Sequence, residues 1–322
     1  MAAQEAPASS AAGEPVVDAQ PRDVPTTALP NALAPDELRV RPGPDGVALA
    51  IDPARAGWRY LSFRVVSLAD EQGVAVAQAN REAAVVVISG GGVRIDLQGS
   101  AGFHLGGRAS VFEAPPWAAY LPRGAAATVV GRPGRRQTHT VVAIAEAPAF
   151  ATGPSREPVL IRPQDVQIEV RGAGNATRQV NHIIKPEFAA DRLLLVEVYT
   201  PGGNWSSWPP HKHDVDAMPN EAVLEEIYYY QLRRADGWAV QRLYRRDGSR
   251  DALWAVRSGE LVLVTDGYHP FVAGHGYDAY YLNALAGDRR TMAFTDDPDL
   301  AWTRTAWADM EPDPRVPLVP GL

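Results

Sequence analysis

Short apolar runs rich in Val, Ile and aromatic residues recur along this chain of 322 residues, and Gly or Pro separates them. Examples are residues 60–66, 83–88, 140–144 and 193–199, and one separating turn signal is the glycine run at 89–92. Short runs of β-branched and aromatic residues between turn residues are typical of barrels and sandwiches. The chain contains 28 Gly and 28 Pro, which disfavours long helices. The sequence therefore predicts an all-β fold.

The strand pattern occurs twice, which predicts two related β-barrels in tandem. We assign residues 37–188 to the N-terminal barrel and residues 189–322 to the C-terminal barrel, since this length suits two domains. A weak internal similarity links the segments 107–124 and 259–267. Residues 1–36 are rich in Ala, Pro, Ser and acidic residues without periodicity, and we expect them to form a flexible arm.

Composition and charge argue against several classes of function. The net charge is −7 and the pI is near 5.5, whereas a nucleic-acid-binding protein needs a basic face. The chain has no Cys, so disulfides, thiolate metal sites and cysteine nucleophiles are excluded. No apolar run approaches the ~20 residues that span a bilayer, and the N-terminus does not resemble a signal peptide. We therefore expect a cytoplasmic protein with no membrane or nucleic-acid partner.

Three of the seven histidines lie in the second half in the context of a metal site. His211 and His213 are two residues apart, so in an extended strand both rings lie on one face. His269 follows a Gly turn after an apolar strand, and either Glu225 or Glu226 returns to the pair after a loop. Strand alternation does not choose between these glutamates, because both faces of their strand carry apolar residues. Imidazoles with one carboxylate are ligands that first-row divalent metals favour, so a metal site is predicted in the second barrel.

An interpretation without a metal is open for each of these histidines singly. The pair would then lie on the surface, and the third would be a hydrogen-bonded core residue. The combination of three imidazoles with a glutamate favours the metal site. The histidines of the first half each stand alone, so any metal belongs to the second barrel: His104, His139 and His182.

Four segments around these residues resemble the 5-deoxy-glucuronate isomerases of bacterial inositol catabolism. They are Gly-Asn-Trp-Ser-Ser-Trp-Pro-Pro-His-Lys-His-Asp at 203–214, Leu-Glu-Glu-Ile-Tyr-Tyr at 224–229, Gly-Tyr-His-Pro at 267–270 and Gly-Tyr-Asp-Ala-Tyr-Tyr-Leu-Asn at 276–283. The similarity covers residues 175–310 well and the N-terminal half loosely. These isomerases are bicupins, related to the 4-deoxy-threo-hexosulose-uronate ketol-isomerases of pectin breakdown.

The resemblance implies a bicupin, which is a pair of tandem jelly-roll barrels. It implies that His211, His213, Glu226 and His269 bind one divalent metal ion, and that Zn, Mn, Fe, Co and Ni are all compatible. It favours Glu226 over Glu225, because in the relatives the ligand precedes a β-branched residue and an aromatic run. The implied reaction converts 5-deoxy-D-glucuronate to 5-dehydro-2-deoxy-D-gluconate.

An aldose–ketose isomerisation needs a base that carries a proton between adjacent carbons. Glu197 is one candidate, because it interrupts an apolar strand near the histidine motif, but a buried acid paired with an Arg explains it equally well. Tyr229, Tyr281 and a metal-bound hydroxide are the others. Tyrosines in strands are more often packing residues than catalysts.

The implied substrate is a uronate, so we expect a cation near the metal. The candidates are Arg178, Lys212 and Arg242. Arg is preferred over Lys, because its guanidinium holds a carboxylate through two hydrogen bonds. For each residue singly, a surface salt bridge is the alternative.

Two other functions are compatible with a bicupin that carries these ligands. One is a metal-dependent dioxygenase, which uses a similar three-His, one-Glu site. The other is a non-catalytic protein that binds sugar acids through the metal. Related enzymes form assemblies, and the apolar β-surfaces permit a homo-oligomer here.

Overall fold

The computed structural model describes residues 33–76, 80–134 and 137–321. Residues 1–32, most of the predicted flexible arm, lie outside this described part. Within those ranges the chain forms 22 strands and only short helical segments, and the all-β prediction is confirmed. The helical segments are α1 (Pro35–Leu38), α2 (Pro53–Ala56), α3 (Trp302–Thr305) and two 3-10 turns at Pro163–Asp165 and Ala306–Asp309.

The strands divide into two successive groups along the chain. Those of the first half are β1 (Arg39–Val40), β2 (Leu49–Ile51), β3 (Ser62–Ala69), β4 (Gly73–Val76), β5 (Arg81–Leu97), β6 (Phe103–Arg108), β7 (Ala118–Leu121), β8 (Ala127–Gly131), β9 (His139–Pro148) and β10 (Val159–Ile161). Those of the second half are β11 (Gln167–Arg171), β12 (Arg178–Ile184), β13 (Leu193–Thr200), β14 (Trp205–Ser206), β15 (His211–Lys212), β16 (Glu225–Leu232), β17 (Ala239–Tyr244), β18 (Asp251–Val256), β19 (Leu261–Val264), β20 (Phe271–Val272), β21 (Ala279–Ala286) and β22 (Thr295–Asp296).

The strands of each half pair antiparallel. The first half forms a nine-stranded sheet that runs β10-β7-β5-β9-β3-β2, with β4, β6 and β8 attached beside the distal part of β5. The second half, together with β1 of the first, forms a seven-stranded sheet, β1-β19-β16-β21-β13-β12-β11, and it also forms a four-stranded sheet, β14-β20-β17-β18. These two sheets pack face to face, and the stacked rings of Tyr230 and Phe271 lie 5.7 Å apart between them. Packed antiparallel sheets of this kind form a jelly-roll barrel.

The glycine run at residues 89–92 lies inside β5 and not in the turn that the sequence suggested. Gly90 and Gly92 both have φ of +116°, which L side chains rarely adopt. A Cβ on Gly92 would lie 2.3 Å from the Leu105 carbonyl oxygen. The glycines therefore let one strand bend and pair with β7 and β9 before the bend and with β6 and β8 after it.

The strand pairing places the division between the halves earlier than the predicted boundary at residue 188. β11 and β12 precede that boundary, but they pair with β13 in the seven-stranded sheet. β1 also joins this sheet, beside β19. The reason is local: β11, β12 and β13 form an antiparallel meander that continues without a break. The division into two domains itself stays a prediction.

The two halves repeat one strand order, and two buried glutamates connect them reciprocally. The order β7-β5-β9-β3 in the first half corresponds to β19-β16-β21-β13 in the second. Glu82 in β5 accepts hydrogen bonds of 2.5–2.8 Å from the backbone N–H groups of residues 191–193. Glu225 in β16 accepts hydrogen bonds of 2.6–3.0 Å from those of residues 59–61. The correspondence therefore pairs β19 with β7, whereas the weak sequence similarity aligned the residues of β19 with residues 109–112, which lie between β6 and β7.

This correspondence explains why the metal-site residues occur in the second half. Aligning Glu82 with Glu225 sets Ala83 at the position of Glu226. Ala83, Val85 and Val87 are fully buried in an apolar cluster inside the first half. The interior face of β5 thus carries apolar side chains where β16 carries a carboxylate.

A shared apolar core joins the halves on the opposite faces of the same strands. Phe63 of β3 and Tyr229 of β16 pack there, with ring centroids 6.0 Å apart. No helix in the described ranges is long and apolar enough to cross a membrane.

Candidate metal centre

One face of the seven-stranded sheet lines a cavity of about 280 Å³. Successive strand residues point to opposite faces, so lining residues recur at every second position. Those on the sheet are Arg171, Arg178, Val180, Val196, Val198, Glu226, Tyr228, Tyr281, Asn283 and Leu285. The other walls come from Ser207, His211, His213, Leu224, Met292, Phe294 and Arg304.

The three predicted histidines meet at this cavity: His211 and His213 line it, and His269 packs behind them. His211 lies on β15, His213 follows it directly, and His269 lies between β19 and β20. The ring centroid of His269 is 4.6 Å from that of His211 and 5.0 Å from that of His213. The Oε2 atom of Glu226 is 2.9 Å from Nε2 of His213 and 3.4 Å from Nε2 of His269. The sequence-predicted residues are therefore close neighbours.

Glu226 faces the histidines because of its position in β16. Glu225 points to the opposite face and binds the backbone of residues 59–61, as described above. The structure thus separates the two glutamates that strand alternation in the sequence left undecided.

The backbone orients all three imidazoles in the same way. Each Nδ1 atom faces a backbone carbonyl oxygen: Leu224 for His213 at 2.9 Å, Gly267 for His269 at 3.1 Å and Pro209 for His211 at 3.4 Å. A carbonyl oxygen only accepts hydrogen bonds, so the Nδ1 atoms donate and the Nε2 atoms face the cavity end. Metal-binding histidines are oriented by such contacts.

The buried environment lowers the pKa of two of the imidazoles and, through Glu226, raises the pKa of the third. Burial, with the neighbouring histidines, lowers the pKa of His211 well below its ordinary value. Burial lowers the pKa of His269 to about 4. Burial also lowers the pKa of His213, but the hydrogen bond that its ring donates to the Glu226 carboxylate, together with the charge of that carboxylate, outweighs burial and raises the pKa above its ordinary value. Neutral imidazole is the form that binds a metal ion.

These residues fit a divalent metal ion. Ligand atoms of His213, Glu226 and His269 all lie within 4.8 Å of one another, and His211 stands beside them. Nε2 of His269 is buried and has no hydrogen-bond partner among the described residues. A buried nitrogen without a partner is explained by a bound ion, and imidazoles with a carboxylate suit first-row divalent metals.

Lys212 lies outside the cavity lining, although the sequence suggested that it binds substrate. Its Nζ donates to Asp214 at 2.7 Å and to Glu221 at 2.8 Å, because it points away from the side of the strand that carries the histidine pair. Asp214 in turn accepts a hydrogen bond of 2.7 Å from the backbone N–H of Gly267. Lys212 therefore connects the segment of the histidine pair to the loop that carries His269.

Glu197 lies on the opposite face of the sheet from the cavity, because its neighbours Val196 and Val198 line the cavity wall. It forms an ion pair with Arg108 of the first half, and both side chains are fully buried. The hydroxyls of Tyr199 and Tyr280 each donate to it at 2.9 Å. This placement argues against Glu197 as the base and matches the alternative of a buried acid paired with an Arg.

Two other predicted residues also lie outside the cavity. Tyr229 shares the face of Glu197 and packs against Phe63, with its hydroxyl accepting from Gln231 at 2.7 Å. Arg242 on β17 pairs with Asp251 at 2.8 Å on the outer face of the four-stranded sheet. In both cases the parity of the strand position points the side chain away from the histidines.

Two of the predicted residues do line the cavity, Arg178 and Tyr281. The Tyr281 hydroxyl donates to Ser206 Oγ at 3.0 Å and lies 3.4 Å from Ser207 Oγ. Ser207 Oγ is also 2.7 Å from the Tyr228 hydroxyl, and Ser207 has φ of +49°, a conformation unusual for a residue other than Gly. A chain of hydroxyl groups thus follows one wall of the cavity.

Sequence reasoning missed several lining residues. Tyr228 had a signal, since it lies two positions after Glu226 on the same strand. Ser207 also had one, since it lies in the quoted segment 203–214, but Arg171 and Arg304 had none, because their segments approach the cavity only in the tertiary fold.

Comparisons with known proteins show similar sequences and a similar structure. The model of the KduI/IolB family matches residues 37–303. A 5-deoxy-glucuronate isomerase from Geobacillus kaustophilus is 41% identical over 262 residues, which are 81% of this chain and 92% of that protein. The crystal structure of an IolB-like protein from Salmonella typhimurium superposes with a TM-score of 0.76 at 36% identity, covering 83% of this chain and 98% of that one.

A more distant structural likeness bears on the fold alone. An oxalate decarboxylase from Lactobacillus farciminis, solved with formate, superposes with a TM-score of 0.55 at 11% identity, covering 80% of this chain and 88% of that one. The cupin architecture predicted from the sequence is confirmed.

Proposed function

The chain belongs to the KduI/IolB family, and from that premise we propose that it is a metal-dependent aldose–ketose isomerase. The proposed reaction converts 5-deoxy-D-glucuronate to 5-dehydro-2-deoxy-D-gluconate, as a step of myo-inositol catabolism in the cytoplasm. The names of its curated relatives support the substrate, and one of these relatives is the Geobacillus protein described above.

The observation that carries the proposal is the cluster of His213, Glu226 and His269, whose ligand atoms all lie within 4.8 Å of one another, with the ring of His211 beside His269. His211, His213, Glu226 and His269 are the proposed ligands of one divalent ion, and Zn, Mn, Fe, Co and Ni all suit them. When bound, such an ion would polarise the carbonyl and hydroxyl oxygens of the substrate and make the adjacent carbon more acidic. The cavity of about 280 Å³ is close to the lower limit for small-ligand sites, which suits one monosaccharide acid.

The chain's own residues hold the substrate and its protons. Glu226 is the only carboxylate among the described residues that line the cavity, and the proposal uses it as a metal ligand and not as the base. Burial raises the pKa of the Tyr281 hydroxyl, which keeps it protonated at neutral pH. We assign to Tyr281 the role of donating to the substrate oxygen that gains a proton, with Ser207 and Tyr228 resupplying it along the hydroxyl chain.

The apolar wall of Val180, Val196 and Val198 excludes water from the reacting carbons. In this proposal the first half supports the site through Arg108 and through the backbone of residues 59–61, which donates to Glu225, and it binds no metal. A homo-oligomer is compatible with it.

The proposal is tested by incubating the protein with 5-deoxy-D-glucuronate and following the sugar by NMR. We expect loss of the aldose signals and growth of ketose signals, abolished by chelation and restored by added metal. His269→Gln should lower kcat at least about 100-fold, since even residues that only support a metal ligand are worth roughly 10–100-fold. His104→Gln, an exposed histidine on β6, is the matched control and should keep full activity.

Two results would contradict the proposal. One is unchanged turnover by the chelated protein or by His269→Gln. The other is oxygen consumption with no ketose formed, which would support the dioxygenase alternative.

A further inference from the structure

Arg178 is a buried cation without a counter-ion. It lies on β12, is 5% exposed, and lines the cavity that contains the histidines. Its Nη1 donates to the Ala176 carbonyl oxygen at 3.0 Å. Among the described residues, no carboxylate forms an ion pair with Arg178, and Nε and Nη2 have no hydrogen-bond acceptor. The edge of its guanidinium that carries Nε and Nη2 is therefore free to hold an anion.

The other two arginines of the cavity differ in this respect. Arg171 is held by Glu169, with N–O distances of 2.7 and 2.8 Å. Arg304 is held by Asp296, with N–O distances of 2.9 Å. Both carboxylates occupy the fork of their arginine, so neither guanidinium is available in the same way.

Without a bound ligand, the buried charge of Arg178 destabilises the fold. An ionised side chain that is buried without a partner loses hydration that nothing replaces. Arg178 also lies directly opposite Arg171 in the pairing of β11 and β12, and like charges opposite each other are destabilising. The ring of Trp307, 5.7 Å from its guanidinium carbon, is a weak compensation.

The backbone is shaped to hold Arg178 in this position. Gly172, between β11 and β12, has φ of +83°. A Cβ at Gly172 would lie 2.8 Å from Nη1 of Arg178 and 2.2 Å from the Ala176 carbonyl oxygen. The turn thus leaves room for the guanidinium, and the apolar residues Val180 and Val198 beside it strengthen its field in the cavity.

From these observations we infer that Arg178 binds the carboxylate of the substrate and makes the cavity selective for sugar acids over neutral sugars. The ligand class is a monosaccharide carboxylate that reaches from the guanidinium to the histidine cluster. The bond is a charge-assisted, two-point hydrogen bond, which the planar fork of Arg permits and the ammonium of Lys does not. This inference rests on the proposed function, because it concerns the same cavity.

The test measures binding and does not require turnover. Calorimetry on the metal-loaded protein gives the Kd of D-glucuronate, a stable uronate, and of D-glucose as its neutral counterpart. The variants are Arg178→Gln, Arg178→Lys and the matched control Arg242→Gln, whose arginine is paired with Asp251 outside the cavity. The melting temperature of each variant without sugar is measured in parallel.

We expect Arg178→Gln to weaken uronate binding by about 10- to 100-fold, the range of a hydrogen bond to a charged group, and to leave glucose binding unchanged. Arg178→Lys should fall between the wild type and Arg178→Gln, and Arg242→Gln should match the wild type for both sugars. The melting temperature of Arg178→Gln should stay equal or rise, because an uncompensated buried charge is removed.

Equal effects of Arg178→Gln on both sugars, or uronate binding within twofold of the wild type, would overturn the inference. A lower melting temperature with unchanged uronate affinity would assign Arg178 a structural role and overturn it as well. The proposed function fails separately: Arg178-dependent uronate binding without isomerisation contradicts the reaction alone. Isomerisation with Arg178-independent binding contradicts the inference alone.

Discussion

Replacing Glu197 by Gln distinguishes a structural acid from a catalytic base. The substitution keeps the size of the side chain and an acceptor oxygen, but it removes the charge that faces Arg108. Glu197 lies on the face of β13 opposite the cavity, so we expect the stability of the protein to fall and kcat to stay unchanged.

The expected loss follows from the burial of the pair. Both side chains are 0% exposed, so solvent does not screen the guanidinium of Arg108 once its partner is neutral. Breaking a buried ion pair from one side costs about 3–5 kcal/mol. At roughly 2 °C per kcal/mol, this lowers the melting temperature by at least about 6 °C.

The assay combines thermal unfolding with steady-state kinetics at a temperature where the variant is folded. The double variant Arg108→Met, Glu197→Gln removes both charges of the pair and still offers an acceptor oxygen to Tyr280. It should recover at least about 2 kcal/mol of the loss, because the unpaired guanidinium is its main cause.

The reasoning is refuted if Glu197→Gln melts like the wild type and loses activity. A general base contributes about 10²- to 10⁴-fold to the rate, so a fall of that size in kcat would restore Glu197 as the base.

Two further predictions concern the cavity. Tyr281→Phe should lower kcat by at least about tenfold with little change in KM. The matched control Tyr229→Phe, on the opposite face of the sheet, should keep the wild-type kcat. Equal rates for both variants would remove the hydroxyl chain from the mechanism. Metal affinity should fall about tenfold per pH unit once the pH drops below the pKa of His213. Burial lowers this pKa, but Glu226 raises it more, so it lies above its ordinary value of 6.5. Protonation then competes with the metal, and a competition titration between about pH 8 and about pH 5 that shows constant affinity would contradict the assignment of His213 as a ligand.

The sequence brought the histidine pair together because its spacing is local, and the family resemblance supplied the choice of Glu226. His211 and His213 share one short segment, whereas Glu226 lies near the start of β16 and His269 lies in the loop that follows the neighbouring strand β19. The all-β fold was also predictable, since turn residues separate the strands at short intervals.

The residues on the wrong face were not predictable, and the reason is physical. Every residue of β13 is buried, so the strand shows no alternation of polar and apolar residues that would indicate which face Glu197 is on. The same holds for most of β16, where Tyr229 lies. Because one face packs on the other half and the other face lines the cavity, both are apolar, and alternation disappears from the sequence.

Arg178 and Arg242 illustrate a second limit. Both are arginines in strands, and the sequence gives no means of telling which has a carboxylate partner. Asp251 reaches Arg242 through the pairing of β17 with β18, whereas Arg178 faces Arg171 across β11. Only the register of the sheets separates a surface ion pair from a free cation in the cavity.

The most direct test is a titration of the metal-free protein with a divalent ion, with 5-deoxy-D-glucuronate turnover measured at each step. If four side chains from separate β-segments hold one ion that the reaction needs, activity rises linearly and stops at one bound ion per chain. Full turnover before any ion is added, or saturation of the site without any gain in turnover, would contradict it.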